Sequence, residues 1–365
     1  MRRYILVAAL LVLARPSCET VAAELRGLKE GAPEIRSASS LAFGPEDILF
    51  IGDAVGAAVF AVATGDTQGD PAAAAVNIGS LGDSLKGLLR ASQVAVNDLA
   101  VNPATGNAFL AVTADESPAV VKVDGGGKLE VLSLSRIHFA KADLSDPPED
   151  KVVGEGRRAR NPRQDSITDI AWFGGKLLVS GLSSGKSPST IRELNFPFAE
   201  SDKGVSVEIY HAAHGKDEDF AAMRTFVPVM IDGEPSVVGA YTCTPLVRIP
   251  VKQLSAAGKR VRGTTVAELG NRNRPLDLIA YRKGGAEFLL LSNSARGVMK
   301  ISTQGLQQNK GLAEPVRDGA TAGQTYETIE AFRGVVQMDR LNETSALLLL
   351  QDDAGVLALQ TVELP

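Results

Sequence analysis

Short runs of apolar and β-branched residues, five to eight long, recur along the chain between polar turns, and amphipathic helical periodicity is scarce. One pattern returns six times: a β-run opening at a polar residue, a turn, a second apolar run, a polar hairpin and a third run. The copies begin SSLAFGPEDILFIGD at Ser39, NDLAVNPATGNAFLAVTA at Asn97 and TDIAWFGGKLLVSGLSSG at Thr168. They continue as RTFVPVMIDGEPSVVGAY at Arg224, LDLIAYRKGGAEFLLLSNS at Leu276 and a weaker VQMDRLNETSALLLLQDD at Val336. The equivalent anchors Leu41, Leu99, Ile170, Phe226, Leu278 and Met338 lie 52 to 60 residues apart, except for one interval of 71.

A unit of this kind exposes both faces of its sheet when alone, and radial repetition buries them against neighbours. The pattern therefore predicts an all-β, six-bladed β-propeller of four-stranded blades. A seventh blade inside 133–165, where the long interval falls, is the alternative. The sixth copy runs out after three strands, so the stretch 24–36 is expected to supply its fourth strand and close the ring.

The first residues, MRRYILVAALLVL, place Arg2 and Arg3 before a short apolar run, with small residues leading to Ala23. This reads as a signal peptide over 1–23 and predicts a periplasmic or secreted protein, with 24–365 forming one domain. Removing the leader takes away three arginines and one glutamate from a chain of net charge −5. A mildly acidic exported protein is a poor candidate for nucleic acid, and no later apolar stretch is long enough to span a membrane. Of two cysteines, only Cys243 follows the leader, so no internal disulfide is expected.

Aligning the repeats puts Ser40, Asp98, Asp169, Thr225, Asp277 and Gln337 in one column at the start of the inner strands. Three carboxylates around a channel mouth suit calcium, through oxygen ligands, or accept hydrogen bonds from neighbouring turn amides. Two of the three histidines, His211 and His214, stand as HAAHG before the fourth repeat, and Cys243 lies in a hairpin of that repeat. Two imidazoles and a thiolate suit zinc or copper, with Asp217, Glu218 or water as a further ligand. The thiolate is alternatively a nucleophile, or Cys243 is simply packed. The insertion at about 133–165 carries Asp143, Asp146, Glu149 and Asp150, then Arg157, Arg158, Arg160 and Arg163. With Arg224, Arg272 and Arg274 its basic end outlines a patch for an anionic ligand; the other readings are solvated charge or pairing between the two halves.

P-loop and HExxH sequences are absent, and the GxSxG match GLSSG at 181–185 lies in a polar turn with no helix-forming run after it, so it is not read as a nucleophile elbow; this argues against the commonest hydrolase and nucleotide-binding designs. The stretches LAFGPEDILFIGDAVGAAVFAV and ITDIAWFGGKLLVSG resemble blades of the TolB-like, NHL-like and gluconolactonase-like propellers of bacterial exported proteins. That resemblance spans nearly all of 24–365. Its gluconolactonase-like branch implies a divalent metal in the channel, with Asn97, Asp98, Asp169, Asp277 and Asn293 as candidates. Ser39 and Ser40 stand where that branch has a glutamate. Two readings follow: a non-catalytic exported propeller that binds a protein partner or an anionic small ligand on its loop-rich face, or a metal-dependent enzyme, hydrolytic at the aspartates or redox-active at His211, His214 and Cys243.

Overall fold

The computed structural model describes residues 27–156, 159–199, 203–243, 245–255 and 259–365. The leader at 1–23 and Arg157 and Arg158 lie outside them. Six antiparallel sheets stand in a ring, one for each sequence repeat, and form a six-bladed propeller. No seventh sheet exists among the described residues.

Alternation decides how the blades meet. Along Ile48–Asp53 in the first blade, Leu49 and Ile51 pack with Phe109 and Ala111 of the second blade. Ile48 and Phe50 face Leu177, Val179 and Trp172 of the third. Each blade thus gives one face of its strands to each neighbour, and six apolar clusters fill the six gaps. In the first of these, Phe50 stacks on Trp172 at 5.4 Å and meets Phe196 edge-on at 5.2 Å.

Blade order around the ring departs from chain order. The inner strand of blade 1, Ser40–Phe43, lies between those of blades 2 and 3, and blade 2 lies between blades 1 and 6. The spatial sequence is therefore 2, 1, 3, 4, 5, 6. After three strands of blade 1 the chain departs and Asn77–Ile78 pairs with Leu357–Glu363 as the fourth strand of blade 6. A helix, Leu81–Leu89, then buries Leu81 and Leu85 against the gap between blades 2 and 6. Blade 2 follows, and Ile137–Asp143 returns to pair with Ala58–Ala63 as the fourth strand of blade 1.

Two expectations change. The N-terminal stretch does not close blade 6; Lys29–Gly31 adds outside Ile137–Asp143 on blade 1. The 133–165 insertion is neither a seventh blade nor simply a loop, because its first part completes blade 1. A repeat period reports how many blades exist and says nothing about which short segment seals each edge. The departing chain is pinned by Asp66, whose buried carboxylate accepts from Asn102 Nδ2 at 2.8 Å, Thr105 Oγ1 at 2.5 Å and Asn107 Nδ2 at 2.7 Å, and pairs with Lys122.

Candidate functional site

The inner strands present their first residues to the central channel, and the predicted column assembles there: Asp98, Asp169, Thr225, Asp277 and Gln337 line its narrow part. Ser40 is buried beside Gly52. In ring order the column reads Asp98, Ser40, Asp169, Thr225, Asp277, Gln337, so carboxylate and neutral side chains alternate. Each carboxylate takes the amide of the following residue and that of an anchor in the next blade. Asp98 accepts from Leu99 N at 2.8 Å and Leu41 N at 2.6 Å. Asp169 accepts from Ile170 N and Phe226 N, both at 2.8 Å. Asp277 accepts from Leu278 N at 2.7 Å and Met338 N at 2.6 Å. The three aspartates therefore clasp blades 2 to 1, 3 to 4 and 5 to 6. With its amide nitrogen facing them, Gln337 donates to Asp277 Oδ2 at 3.0 Å and Asp98 Oδ1 at 3.1 Å.

Protein surrounds these groups except toward the channel, and their charges oppose one another. Burial, with Asp277 and Asp169 adding, holds Asp98 well above the usual carboxylate range. Burial does the same for Asp277, with Asp169 and Asp339 adding. Asp169 is pushed up by burial to about 7 even though the amides of Phe226 and Ile170 bond to it. Asp339 was not singled out in the sequence; it accepts from Val101 N of blade 2 at 2.7 Å and is pushed by burial to about 6. It lies two residues beyond the Gln337 column, on the same strand.

Above the ring the channel widens into a cavity of about 480 Å³. Four inner strands carry a bulge at this level, at Asn97, Arg224, Leu276 and Val336. A bulge re-aims the extra residue, and all four line the cavity. Hydroxyl and amide groups of Ser37, Ser39, Thr113, Gln164 and Thr168 complete much of the wall, with Arg274; no carboxylate lines it. Arg224 Nη1 is held by Asp165 Oδ1 at 2.6 Å. Arg274 forms no ion pair among the described residues, and burial with the charge of Arg224 lowers its pKa. Arg272 is exposed on a left-handed turn outside the cavity wall. Asn293 is buried and accepts from Ala295 N and Arg296 N at 2.9 and 3.2 Å, capping its hairpin.

The insertion's charges are largely used within the protein: Asp150 meets Arg36, Asp146 meets the buried Arg192, and Arg163 donates to the Pro148 carbonyl.

A second cluster forms at the outer rim of blade 3. Val205, Val207, Ile209 and His211 occupy the buried face of one strand, so His211 takes a place the alternation gives to a hydrophobe. The chain turns through Ala212–Gly215 and returns as Lys216–Glu218, with Glu218 on the same face. Glu218 Oε2 meets His211 Nδ1 at 2.9 Å and Oε1 meets His214 Nδ1 at 2.7 Å. Burial works to raise the Glu218 pKa, but the two imidazoles prevail and lower it; burial lowers that of His211. Cys243 is not part of this cluster. It sits at positive φ in its hairpin and donates its backbone N–H to the Asn273 carbonyl at 3.0 Å.

Among the described residues, His211, His214 and Glu218 form the one group of three or more such side chains with ligand atoms all within 4.8 Å of one another. Calcium–oxygen distances of about 2.4 Å would require a comparable closeness of Asp98, Asp169 and Asp277, which the channel does not provide. Their oxygens are already engaged by backbone amides, so the ring does not fit a calcium centre, and zinc or copper at His211 and His214 would lack Cys243.

No protein-family profile and no curated protein matches the chain. Among solved structures it resembles an oxidoreductase described as a glucose dehydrogenase from Thermus thermophilus, at 12% identity over 92% of this chain and 100% of that one, TM-score 0.35. It also resembles a PQQ-bound aldose sugar dehydrogenase from Streptomyces coelicolor, at 11% identity over 92% and 98%, TM-score 0.30. A third likeness is to a chain of a mitotic checkpoint complex, at 8% identity over 99% of each chain, TM-score 0.39. Likenesses this distant say nothing about what the channel holds.

Proposed function

We propose that this protein is an exported binding propeller that holds a small, hydroxyl-bearing organic anion at the channel mouth. The carrying observation is the lining: about 480 Å³ whose polar wall is made of serine, threonine, asparagine and glutamine side chains and two arginines, with no carboxylate among the described residues, beside apolar groups such as Val55, Val96, Ile167 and Leu276. That volume lies in the range of small-ligand sites. Arg224 is fixed by Asp165, whereas Arg274 is left to pair with a carboxylate or phosphate from outside. The aspartates beneath oppose such a ligand weakly, because burial favours their protonated, neutral forms. The export part of the proposal rests on the leader at 1–23, and none of the described helices is long and apolar enough to cross a membrane.

The test is calorimetric titration with sugar acids such as gluconate, and with inorganic phosphate, on the wild type and on Arg274→Ala. Saturable binding that weakens about 10-fold or more in the variant, as expected for loss of a charge-assisted contact of about 1.5–3 kcal/mol, supports the reading. Binding unaffected by Arg274→Ala, or no binding at millimolar concentrations, overturns it.

A further inference from the structure

We propose that His211, His214 and Glu218 bind one zinc ion at the rim where blade 3 meets blade 4, a site separate from the channel.

The argument begins with an arrangement that packing does not explain. His214 is about half exposed, yet its ring lies 3.8 Å from that of the buried His211, tilted by 37°. Both rings turn Nδ1 to the same carboxylate, one oxygen each. The two imidazoles thus converge on one carboxylate. A dication in place of the protons satisfies both nitrogens and the carboxylate together. Zinc takes imidazole nitrogen at about 2.0–2.1 Å and carboxylate oxygen at about 2.0–2.2 Å, so its ligand atoms stand about 3.3 Å apart. One ligand atom from each of the three side chains already lies within 4.8 Å of the others, with the histidine–glutamate pairs at 2.7 and 2.9 Å, so side-chain rotation can bring them to that spacing. The donor set of two nitrogens and one carboxylate, with a position left for water, is suited to zinc.

The surroundings hold this geometry. His214 N and Gly215 N donate to the His211 carbonyl at 3.0 and 2.9 Å, which fixes the turn between the histidines. Glu268, from the outer strand of blade 4, accepts from Ala213 N at 3.1 Å and so grips that turn from the adjacent blade. Two buried polar atoms beside the site have no partner: His211 Nε2 and Glu268 Oε1. Lys216 Nζ lies 3.5 Å from Glu218 Oε1 but is exposed, so it is free to swing into solvent when the ion arrives. Bound zinc would join the outer strand of blade 3 to the turn that Glu268 holds, as a staple across the rim.

The experiment uses the full chain, stripped with chelator and titrated with zinc chloride alone, with metal content measured after desalting. One zinc per chain is expected, together with a zinc-dependent rise in Tm. His214→Ala removes an exposed ligand, so folding should persist while zinc affinity falls at least about 100-fold, the upper end of what losing even an outer-sphere partner costs. Cys243→Ser, and His138→Ala at the third histidine, which lies on Ile137–Asp143 of blade 1, should keep the metal. Cobalt(II) substitution should give tetrahedral d–d bands without a thiolate charge-transfer band. Failure of the wild type to retain zinc, retention at unchanged affinity in His214→Ala, or a thiolate band would each overturn the proposal. Because Arg274 and the channel play no part, this result and the test of the anion site stand independently.

Discussion

Replacing Asp66 with asparagine should destabilise the protein by about 3 kcal/mol. The carboxylate is 4% exposed, and its two oxygens receive four donors: Asn107 Nδ2 and Lys122 Nζ at Oδ1, Asn102 Nδ2 and Thr105 Oγ1 at Oδ2. An amide keeps one oxygen and turns an NH₂ toward a pair of donors whichever way it sits. Two charge-assisted bonds at about 1.5–3 kcal/mol each are lost; part is recovered because a buried charge disappears and Lys122, partly exposed, can turn to water. About 3 kcal/mol corresponds to a fall in Tm of roughly 6–12 °C for a large domain. Urea unfolding followed by far-ultraviolet circular dichroism and by the single tryptophan, Trp172 in blade 3, measures the change remote from the substitution. Burial works to raise the Asp66 pKa, but Lys122, Thr105, Asn107 and Asn102 hold it below the usual range. Its contribution is therefore complete above the unfolded carboxyl's value near 4 and is lost as pH falls through the folded value. The difference between wild type and variant should accordingly shrink in acid. A loss under about 1 kcal/mol at pH 7, or a difference that grows in acid, would refute the account of this network.

Asp169 carries the opposite sign. Its folded pKa is raised to about 7, so its favourable contribution is complete below the unfolded value near 4 and is lost as pH rises toward 7, by at most about 1.4 kcal/mol per pH unit, reduced by water in the channel. Asp169→Asn should flatten the pH dependence of stability between pH 4 and 7, and an unchanged profile from urea unfolding would contradict the buried-ring account. Cysteines at Ile78 and Leu359, paired across the seam of blade 6, should form a disulfide on oxidation, since antiparallel partners at about 4.5–5.5 Å suit one; mass spectrometry of the mapped peptide checks it, and free thiols after oxidation would argue against this strand pairing.

The repeat was legible because alternation and turn chemistry recur wherever a blade must bury both faces. The anchors Leu41, Phe226 and Met338 proved to be the residues whose amides the aspartates clasp. Blade order was not legible: Asn77–Ile78 is two residues long, and Ile137–Asp143 sits in a stretch whose charges dominate the eye. The channel column could be read from alignment alone, whereas the bulges that turn Asn97 and Arg224 into the mouth are backbone events with no residue signature. The pairing of His211 with His214 followed from spacing. Cys243 looked near because it lies in a hairpin of the repeat that the histidines precede, and Glu268 was missed because it comes from a strand more than fifty residues later in the chain. A glutamate closing the short β-run Thr264–Glu268 was the signal that marked it.

The interleaved first two blades bear on how this chain becomes a finished ring. Most of blade 1 is synthesised before blade 2, but its edge stays open until residues 137–143 arrive, and blade 6 waits for a partner made some 280 residues earlier. The blade 1 seam lies within the described chain, and at blade 6 the last strand is inserted between two partners. Fraying from the C-terminus would have to peel off Leu357–Glu363 between two hydrogen-bonded neighbours, and loss of Lys29–Gly31 would leave both seams shut. The structure is thus a loop locked from within. Assembly must be late and highly cooperative, and the same interleaving that delays it should make the completed protein slow to come apart.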